Sequence, residues 1–209
     1  MPDGSHSFLA PNTSHAPRPA EPDLRVTTAQ TIEDIMRVTA IRAAVYMAEQ
    51  DCPYEEEFDG NDFCATHMIG WVGSEPVGCL RIRYFGGFAK VERVAVRSRY
   101  RTSAIALKLI RTAFEHCSRK GFEKVLGHVR DDLVPFYKTL GCRVADTGRQ
   151  VVFSELSFTE MLWERPAPSD AISLHTDPYA IIRPEGEWDS VGVLEHSATR
   201  ATGPASAAA

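Results

Sequence analysis

The stretch Val94-Ala95-Val96-Arg97-Ser98-Arg99-Tyr100-Arg101-Thr102-Ser103-Ala104-Ile105-Ala106 changes its period in the middle. An apolar strand pattern ends at Val96. A polar loop carrying three Arg within five residues follows, and a helix opens on small side chains at Ser103 and Ala104. The first N–H groups of a helix lack intrahelical partners and its dipole adds positive potential, so a loop of this kind is an anion seat. Arg97, Arg99 and Arg101 suit a diphosphate, because guanidinium groups bond phosphate oxygens in pairs. An ordinary basic connection between strand and helix fits the same residues equally well.

Working outward, Ser103 to Lys120 reads as a helix with Ala106, Leu109, Ile110, Ala113, Phe114 and Cys117 on its inner stripe and Gly121 closing it. Upstream lie three strands: His67 to Val72, Val77 to Phe85 and Ala89 to Val96. They are separated by turns at Gly73-Ser74-Glu75-Pro76 and Gly86-Gly87. In the second strand Leu80, Ile82 and Tyr84 share one face, and Arg81 and Arg83 the other. Thr31 to Met47 predicts a helix capped by Thr31, with Glu33 and Asp34 in its first turn. Downstream come a strand at Lys124 to Val129, a short helix from Leu133 to Leu140 stopped by Gly141, and closing strands at Arg143 to Ala145 and Gln150 to Trp163. The order implies an α/β domain with a mixed sheet. Phe114, Trp71 and Trp163 read as core.

Residues 1–24 are rich in Pro, Ser and Ala and read as a disordered tail. Residues 25–164 form the domain. Residues 165–209 are an extension in which Ala180-Ile181-Ile182 and Val191-Gly192-Val193-Leu194 dock in part before Gly203 to Ala209 returns to disorder. No apolar run approaches the ~20 residues of a bilayer span. No basic segment followed by an apolar run opens the chain, which leads to the expectation of a cytoplasmic protein. Cys52, Cys64, Cys79, Cys117 and Cys142 are odd in number and form no CxxC pair, so reduced thiols are expected rather than zinc or disulfides. No metal is called for.

The net charge of −5 resides in the tails: residues 25–164 hold 19 basic and 19 acidic side chains. A neutral body argues against nucleic-acid binding. Within it the signs separate, with seven acids and no base from Glu49 to Asp62, and seven bases against Glu92 alone from Arg81 to Arg101. The separation fits either two sub-sites, one for an anion and one for a cation, or two segments that neutralise each other.

The second informative stretch is Pro135-Phe136-Tyr137-Lys138-Thr139-Leu140-Gly141-Cys142. A Tyr near the end of a short helix closed by Gly can face a cleft and donate its proton to a leaving group, although most helical tyrosines are packing residues.

Together the two stretches resemble the GNAT superfamily of acyl-CoA-dependent N-acyltransferases over about Thr31 to Trp163. Its phosphate loop, Gln/Arg-x-x-Gly-x-Gly/Ala, is matched by Arg99-Tyr100-Arg101-Thr102-Ser103-Ala104, with Thr102 at the middle Gly. Its Phe/Leu-Tyr-x-x-x-Gly-Phe motif is matched by Phe136-Tyr137 and Gly141, with Cys142 at the closing Phe. The resemblance implies a single domain with a mostly antiparallel mixed sheet flanked by helices, in which the fourth and fifth strands splay. It implies that Val94, Ala95 and Val96 offer backbone groups to the pantetheine arm of acetyl-CoA. Arg99, Arg101, Thr102, Ser103 and Ala104 would hold its diphosphate. Tyr137 would be the leaving-group acid, and reaction would proceed by direct attack in a ternary complex.

Glu92-Arg93, Asp59-Gly60-Asn61-Asp62 and Pro76 to Arg81 look like a subset of that superfamily. Glu92 is the first candidate for base or amine-orienting residue, since a protonated amine must lose a proton before it attacks. An ion pair with a neighbouring Arg is its structural reading. His128 is the second base candidate. Asp59, Asp62, Arg81 and His128 form the expected acceptor side, with the acids drawing a cationic small-molecule or peptide amine, or else simply solvated. His67 reads as structural.

Two alternatives remain. One is an N-acyl amino acid or acyl-homoserine-lactone synthase using longer chains, with Arg81, Arg83, Arg97, Arg99 and Arg101 meeting an acidic acyl carrier protein. The other is a non-catalytic module that senses CoA or binds a partner, favoured by Thr102. A homodimer is left open.

Overall fold

The computed structural model describes residues 23–201 apart from residue 148. The tail expected over residues 1–24 lies outside this range except for its last two residues, as does the disorder expected after Gly203. The strands are β1 (Leu24–Thr28), β2 (Thr66–Val72), β3 (Glu75–Phe85), β4 (Phe88–Val96), β5 (Lys124–Arg130), β6 (Arg143–Val144), β7 (Gln150–Phe153) and β8 (Leu156–Glu164). The helices are α1 (Ile32–Arg42), α2 (Ala48–Gln50), α3 (Tyr54–Glu57), α4 (Ile105–Arg119), α5 (Val134–Thr139), α6 (Pro178–Ile181) and α7 (Glu195–Ala198), with a π-helical turn over Ala43–Met47 joining α1 to α2.

The strands form one sheet in the order β1-β2-β3-β4-β5-β8-β6, with β7 also paired to β8. All neighbours run antiparallel except β4 and β5. The α/β domain with a mostly antiparallel mixed sheet is therefore borne out.

Two elements differ from expectation. β1, Leu-Arg-Val-Thr-Thr, adds a strand at the edge where the tail was read as ending. The single closing strand from Gln150 to Trp163 is a hairpin. It turns at Ser154 and Glu155, whose φ angles of 43° and 64° are left-handed and therefore break the extended chain.

Helix α1 starts with a reciprocal cap. Thr31 Oγ1 accepts from the Asp34 N–H at 3.1 Å, and Asp34 Oδ2 accepts from the Thr31 N–H at 3.3 Å. Its face of Val38 and Ile41, with Val45 beyond, packs with Ile69, Trp71, Cys79 and Ala95 on one side of the sheet. Helix α4 buries Ile105, Leu109, Ile110, Ala113, Phe114 and Cys117 on the other side, against Met68, Leu80, Ile82, Val91 and Trp163. The stripe read from the sequence is thus the core face. At Gly70 of β2 a Cβ would lie 2.9 Å from both Ile105 and Leu109 side chains, so a glycine here lets α4 sit close to the sheet.

The extension after β8, loops with the short helices α6 and α7, docks on α4. The Ile172 N–H bonds the Arg119 carbonyl at 2.8 Å, and Trp188 is buried with its ring 4.9 Å from that of His116. The Glu185 carboxylate contacts Lys120 Nζ at 2.6 Å, His116 Nε2 at 2.9 Å and Thr66 Oγ1 at 3.3 Å. Burial alone would raise the Glu185 pKa, but bonds from His116 and Lys120 outweigh it and bring it down to about 2. Its folded value lies below its unfolded value, so its contribution is complete above the ordinary carboxylate range and is lost as pH falls towards about 2. Glu185→Gln is expected to loosen residues 165–200, read as new cleavage there in limited proteolysis at neutral pH. The wild type is expected to show the same cleavage only on acidification.

Candidate active site

The parallel pairing of β4 with β5 ends at Val91 opposite Gly127, although β4 continues to Val96 and β5 to Arg130. A bulge in β4 explains the divergence. Arg81 of β3 pairs with Glu92 and Cys79 with Ala95, so two residues of β4, Arg93 and Val94, face one of β3. Arg93 takes φ 53°, a left-handed backbone uncommon for a side chain of this size. Beyond the bulge the Arg97 N–H bonds Val77. By alternation, the backbone groups of Val94 and Val96 face away from β3 towards the opened gap. The Val94 carbonyl accepts from the Tyr46 hydroxyl at 2.8 Å, and the Val96 carbonyl from Arg101 Nε at 2.9 Å.

The gap opens into a cavity of about 580 Å3, within the range of small-molecule sites. Its apolar walls come from both core clusters, Val91, Val94, Ile110, Phe114, Val125 and Met161 on the α4 side and Val45 on the α1 side. Of the candidate catalytic, donor-binding and acceptor-binding residues named from the sequence, Glu92, Val94, Val96, Arg101, His128 and Tyr137 line it. Ala95, Arg99, Thr102, Ser103 and Ala104 lie in the adjoining strand and loop, off the cavity wall. Asp59, Asp62 and Arg81 also lie outside its lining.

The loop after β4 is held by its own contacts. Arg97 pairs with Glu75 at 2.5 Å and the Tyr100 hydroxyl bonds the same carboxylate. Ser103 Oγ donates to the Tyr100 carbonyl at 2.6 Å. Thr102 is exposed, and its φ is not left-handed, so the backbone at this position does not demand a glycine. Arg101 pairs with the Glu49 carboxylate, whose other oxygen lies 3.4 Å from the Ser98 N–H. A carboxylate of the chain itself therefore sits at the basic loop.

Tyr137 faces the cavity from α5, which Gly141, at φ 86°, terminates. Burial, with a smaller effect from Cys142, pushes its hydroxyl above the ordinary tyrosine pKa, so it is protonated at neutral pH and able to donate. His128 of β5 stands directly opposite Glu160 of β8, with its Nε2 3.2 Å from Glu160 Oε1.

The remaining charged candidates form a network beneath the cavity. Arg81, 0% exposed, bonds Asp59 Oδ2 at 2.6 Å, Asp62 Oδ1 at 2.8 Å and Glu92 Oε1 at 2.7 Å. Arg42 meets Asp62 at 2.6 Å and also Glu57, and Arg93 reaches Glu57 at 3.1 Å and Asp59 at 3.4 Å. Arg81, above all, holds the Asp59 carboxyl far below its usual range. Burial would raise the Glu92 pKa, but Lys90, at 2.7 Å, and Arg81 outweigh it and leave it lowered. His67 is buried, and its Nε2 lies 3.0 Å from the Asp62 carbonyl. The acidic and basic segments thus neutralise each other, which was the plainer of the two readings of their separation.

The acetyltransferase (GNAT) family profile matches residues 32–142, from the start of α1 to just past α5. The chain belongs to this family. The uncharacterised N-acetyltransferase YjcF of Bacillus subtilis (strain 168) is 27% identical over 121 residues, 58% of this chain and 86% of that protein. The crystal structure of Escherichia coli ElaA superposes with TM-score 0.61 at 21% identity, over 68% of this chain and 100% of that one. A GNAT acetyltransferase from Elizabethkingia anophelis, solved with acetyl-CoA bound, gives TM-score 0.53 at 11% identity over 68% and 98%.

Three features around the cavity were not singled out in the sequence. Tyr46, in the π-helical turn, touches the splayed strand. Glu56 of α3 accepts from the Ser154 N–H at 3.0 Å and from its hydroxyl at 2.7 Å, joining that helix to the β7–β8 hairpin across the cavity edge. Glu160 pairs with His128. None has a motif, because each depends on which strands become neighbours.

Removing one partner from a buried ion cluster leaves the others uncompensated. Arg81→Leu is expected to cost about 3–5 kcal/mol in chemical denaturation. Arg83→Leu, a partly exposed side chain 4.0 Å from Glu92, is expected to cost about 1 kcal/mol or less.

Proposed function

We propose that the protein transfers an acetyl group from acetyl-CoA to a primary amine of a small molecule or peptide, by direct attack with both substrates bound. The observation that carries this reading is one cavity bordered by the diverging backbone of β4, by Arg101 next to the start of α4, and by the Tyr137 side chain. Family membership and the acetyl-CoA complex of the Elizabethkingia protein support the donor.

In this reading the Val94 and Val96 N–H groups pair with the amide groups of the pantetheine arm. Arg99 and Arg101, with the N–H groups of Thr102 and Ala104, take the diphosphate, beside Ser103, whose own N–H is bonded to the Tyr100 carbonyl at 3.0 Å. The N-cap residue of α4, Ala104, offers no side-chain bond, and apart from a long 3.4 Å contact between the Ile105 N–H and Ser103 Oγ the dipole and first N–H groups are left for an anion. Tyr137 gives its proton to the sulfur as the C–S bond breaks, so that a thiol leaves rather than a thiolate. Asp59, Asp62 and Arg81 act from outside the cavity. Their network holds the bulge that opens β4, and apolar walls are left for the acceptor's body.

Tyr137→Phe keeps the ring and removes the donor. It is expected to leave acetyl-CoA affinity nearly unchanged and to lower kcat by about 10²–10⁴-fold, followed as release of free thiol from acetyl-CoA with a panel of primary amines. Retained kcat would return Tyr137 to packing. Absence of acetyl-CoA binding by the wild type would remove the donor reading.

Glu49 competes with a bound diphosphate for Arg101. Glu49→Gln is expected to tighten CoA binding in calorimetry, and Arg101→Ala to weaken it by about tenfold or more, the value of a charge-assisted bond.

A further inference from the structure

Both reactants of the proposed transfer share one cavity, and the donor's contacts account for one side of it: β4, the loop that follows and the start of α4. The remaining wall comes from β5, α5, α3 and the β7–β8 hairpin. It is mostly apolar, with Val129, Leu133, Phe136, Phe153 and Phe158 among its side chains. Leu133 and Phe153 are 42% and 43% exposed, so this wall reaches solvent at the cavity mouth. The reacting end lies deeper, where the Tyr137 ring packs against the core.

Charge is spread unevenly along the lining. Three carboxylates border the cavity, those of Glu56, Glu57 and Glu92. Glu57 is held by Arg42 and by Arg93 at 3.1 Å, and Glu92 by Lys90 and Arg81 at 2.7 Å each. The basic side chains of the lining are all matched as well. Lys90 meets Glu92, Arg93 meets Glu57 and Asp59, Arg101 meets Glu49, His128 meets Glu160 and Arg130 meets Asp132. The Glu56 carboxylate forms no ion pair among the described residues. Arg93 bonds the Glu56 backbone carbonyl instead, at 2.5 Å.

Glu56 is nevertheless fixed. Its Oε2 accepts from the Ser154 N–H at 3.0 Å and from the Ser154 hydroxyl at 2.7 Å. The same hydroxyl lies 3.3 Å from Cys52 Sγ. These partners are neutral, so they orient the carboxylate without cancelling its charge. Oε1 has no partner among the described residues, and the residue is exposed. The plainer reading makes Glu56 a strut between α3 and the hairpin. A strut needs only one acceptor oxygen, which an amide would also supply. It does not account for a surplus negative charge with a free oxygen at the mouth of an apolar passage. A carboxylate already oriented binds a cation at lower ordering cost.

We infer that the acceptor is an alkyl diamine, whose one amine reacts inside the cavity while a second ammonium group, behind an apolar spacer, rests on Glu56 at the mouth. The inference deepens the acyl-transfer reading above and rests on it. The methylene chain covers the apolar wall, and the far ammonium group bonds the free Glu56 oxygen. A monoamine of the same length covers the same wall and leaves Glu56 unused. An amine that carries its own carboxylate meets a wall whose cations are already occupied.

The test measures kcat/KM at saturating acetyl-CoA for 1,4-diaminobutane, 1,6-diaminohexane and 1,8-diaminooctane. Each is set against the n-alkylamine of the same length, and rates are compared per amino group because a diamine can react at either end. Wild type is expected to favour the diamine by about tenfold at one or more of these lengths, the worth of a hydrogen bond to a charged group. Glu56→Gln keeps an oxygen for Ser154 and removes the charge, and it is expected to bring that preference to parity or below. Glu56→Lys is expected to favour the ω-amino acid of the preferred length over the diamine, a reversal that loss of a strut would not produce. Parity in wild type at every length, or a preference that survives Glu56→Gln, would overturn the proposal.

A second readout needs no turnover. Calorimetry with the CoA complex of wild type is expected to show tighter binding of the diamine than of its monoamine partner, and Glu56→Gln is expected to remove the difference. If that difference is found but no amine is acetylated, the acyl-transfer reading fails and the Glu56 cation site stands. If amines are acetylated with no preference for a diamine, the acyl-transfer reading stands and the diamine proposal is overturned.

Discussion

The site depends on one irregularity, the bulge at Arg93 that turns β4 away from β5. A left-handed residue in mid-strand costs of order 1–3 kcal/mol and persists only when its surroundings determine it. Here they do. Arg93 is gripped by the Glu56 carbonyl at 2.5 Å and by Glu57 and Asp59. Asp59 is in turn fixed by Arg81, which also holds Glu92 on the near side of the bulge. The charges that crowd residues 49–62 and 81–101 set the shape of the backbone, and the backbone makes the cavity.

A buried cluster of this kind contributes little net stability relative to apolar packing. Its value lies in position. It ties the segment between α1 and β2 to the strand that borders the cavity. Tyr46 and the Glu56–Ser154 contact place two further parts of the chain around the same opening. The cavity wall is thereby drawn from segments more than a hundred residues apart.

Much of this was legible in the sequence. The loop Arg97 to Ala104 and the Tyr137-x-x-x-Gly141 turn carry local chemistry, since a helix start and a helix stop are written in neighbouring residues. The α4 stripe and the face of Leu80 and Ile82 were legible for the same reason. Asp59, Asp62, Arg81 and Glu92 were singled out for base and acceptor roles, but their partners lie across strands, and only the register of β3 and β4 shows that they pair with one another. β1 was missed because five residues of weak alternation follow a Pro-rich tail. The β7–β8 turn was missed because Ser154-Glu155 carries no glycine, the usual mark of left-handed backbone. The pairing of His128 with Glu160 needs β5 and β8 side by side, 32 residues apart in sequence.

The central claim is that the gap beyond the bulge, with the basic loop at its end, is where the acyl donor lies. Amide hydrogen exchange with and without acetyl-CoA tests it most directly, because the claim assigns the donor's contacts to backbone N–H groups. The account predicts slower exchange on donor addition over residues 92–106, from the bulge through the loop into the first turn of α4. Unchanged exchange over that stretch while acetyl-CoA binds, with protection confined to other parts of the chain, would contradict it.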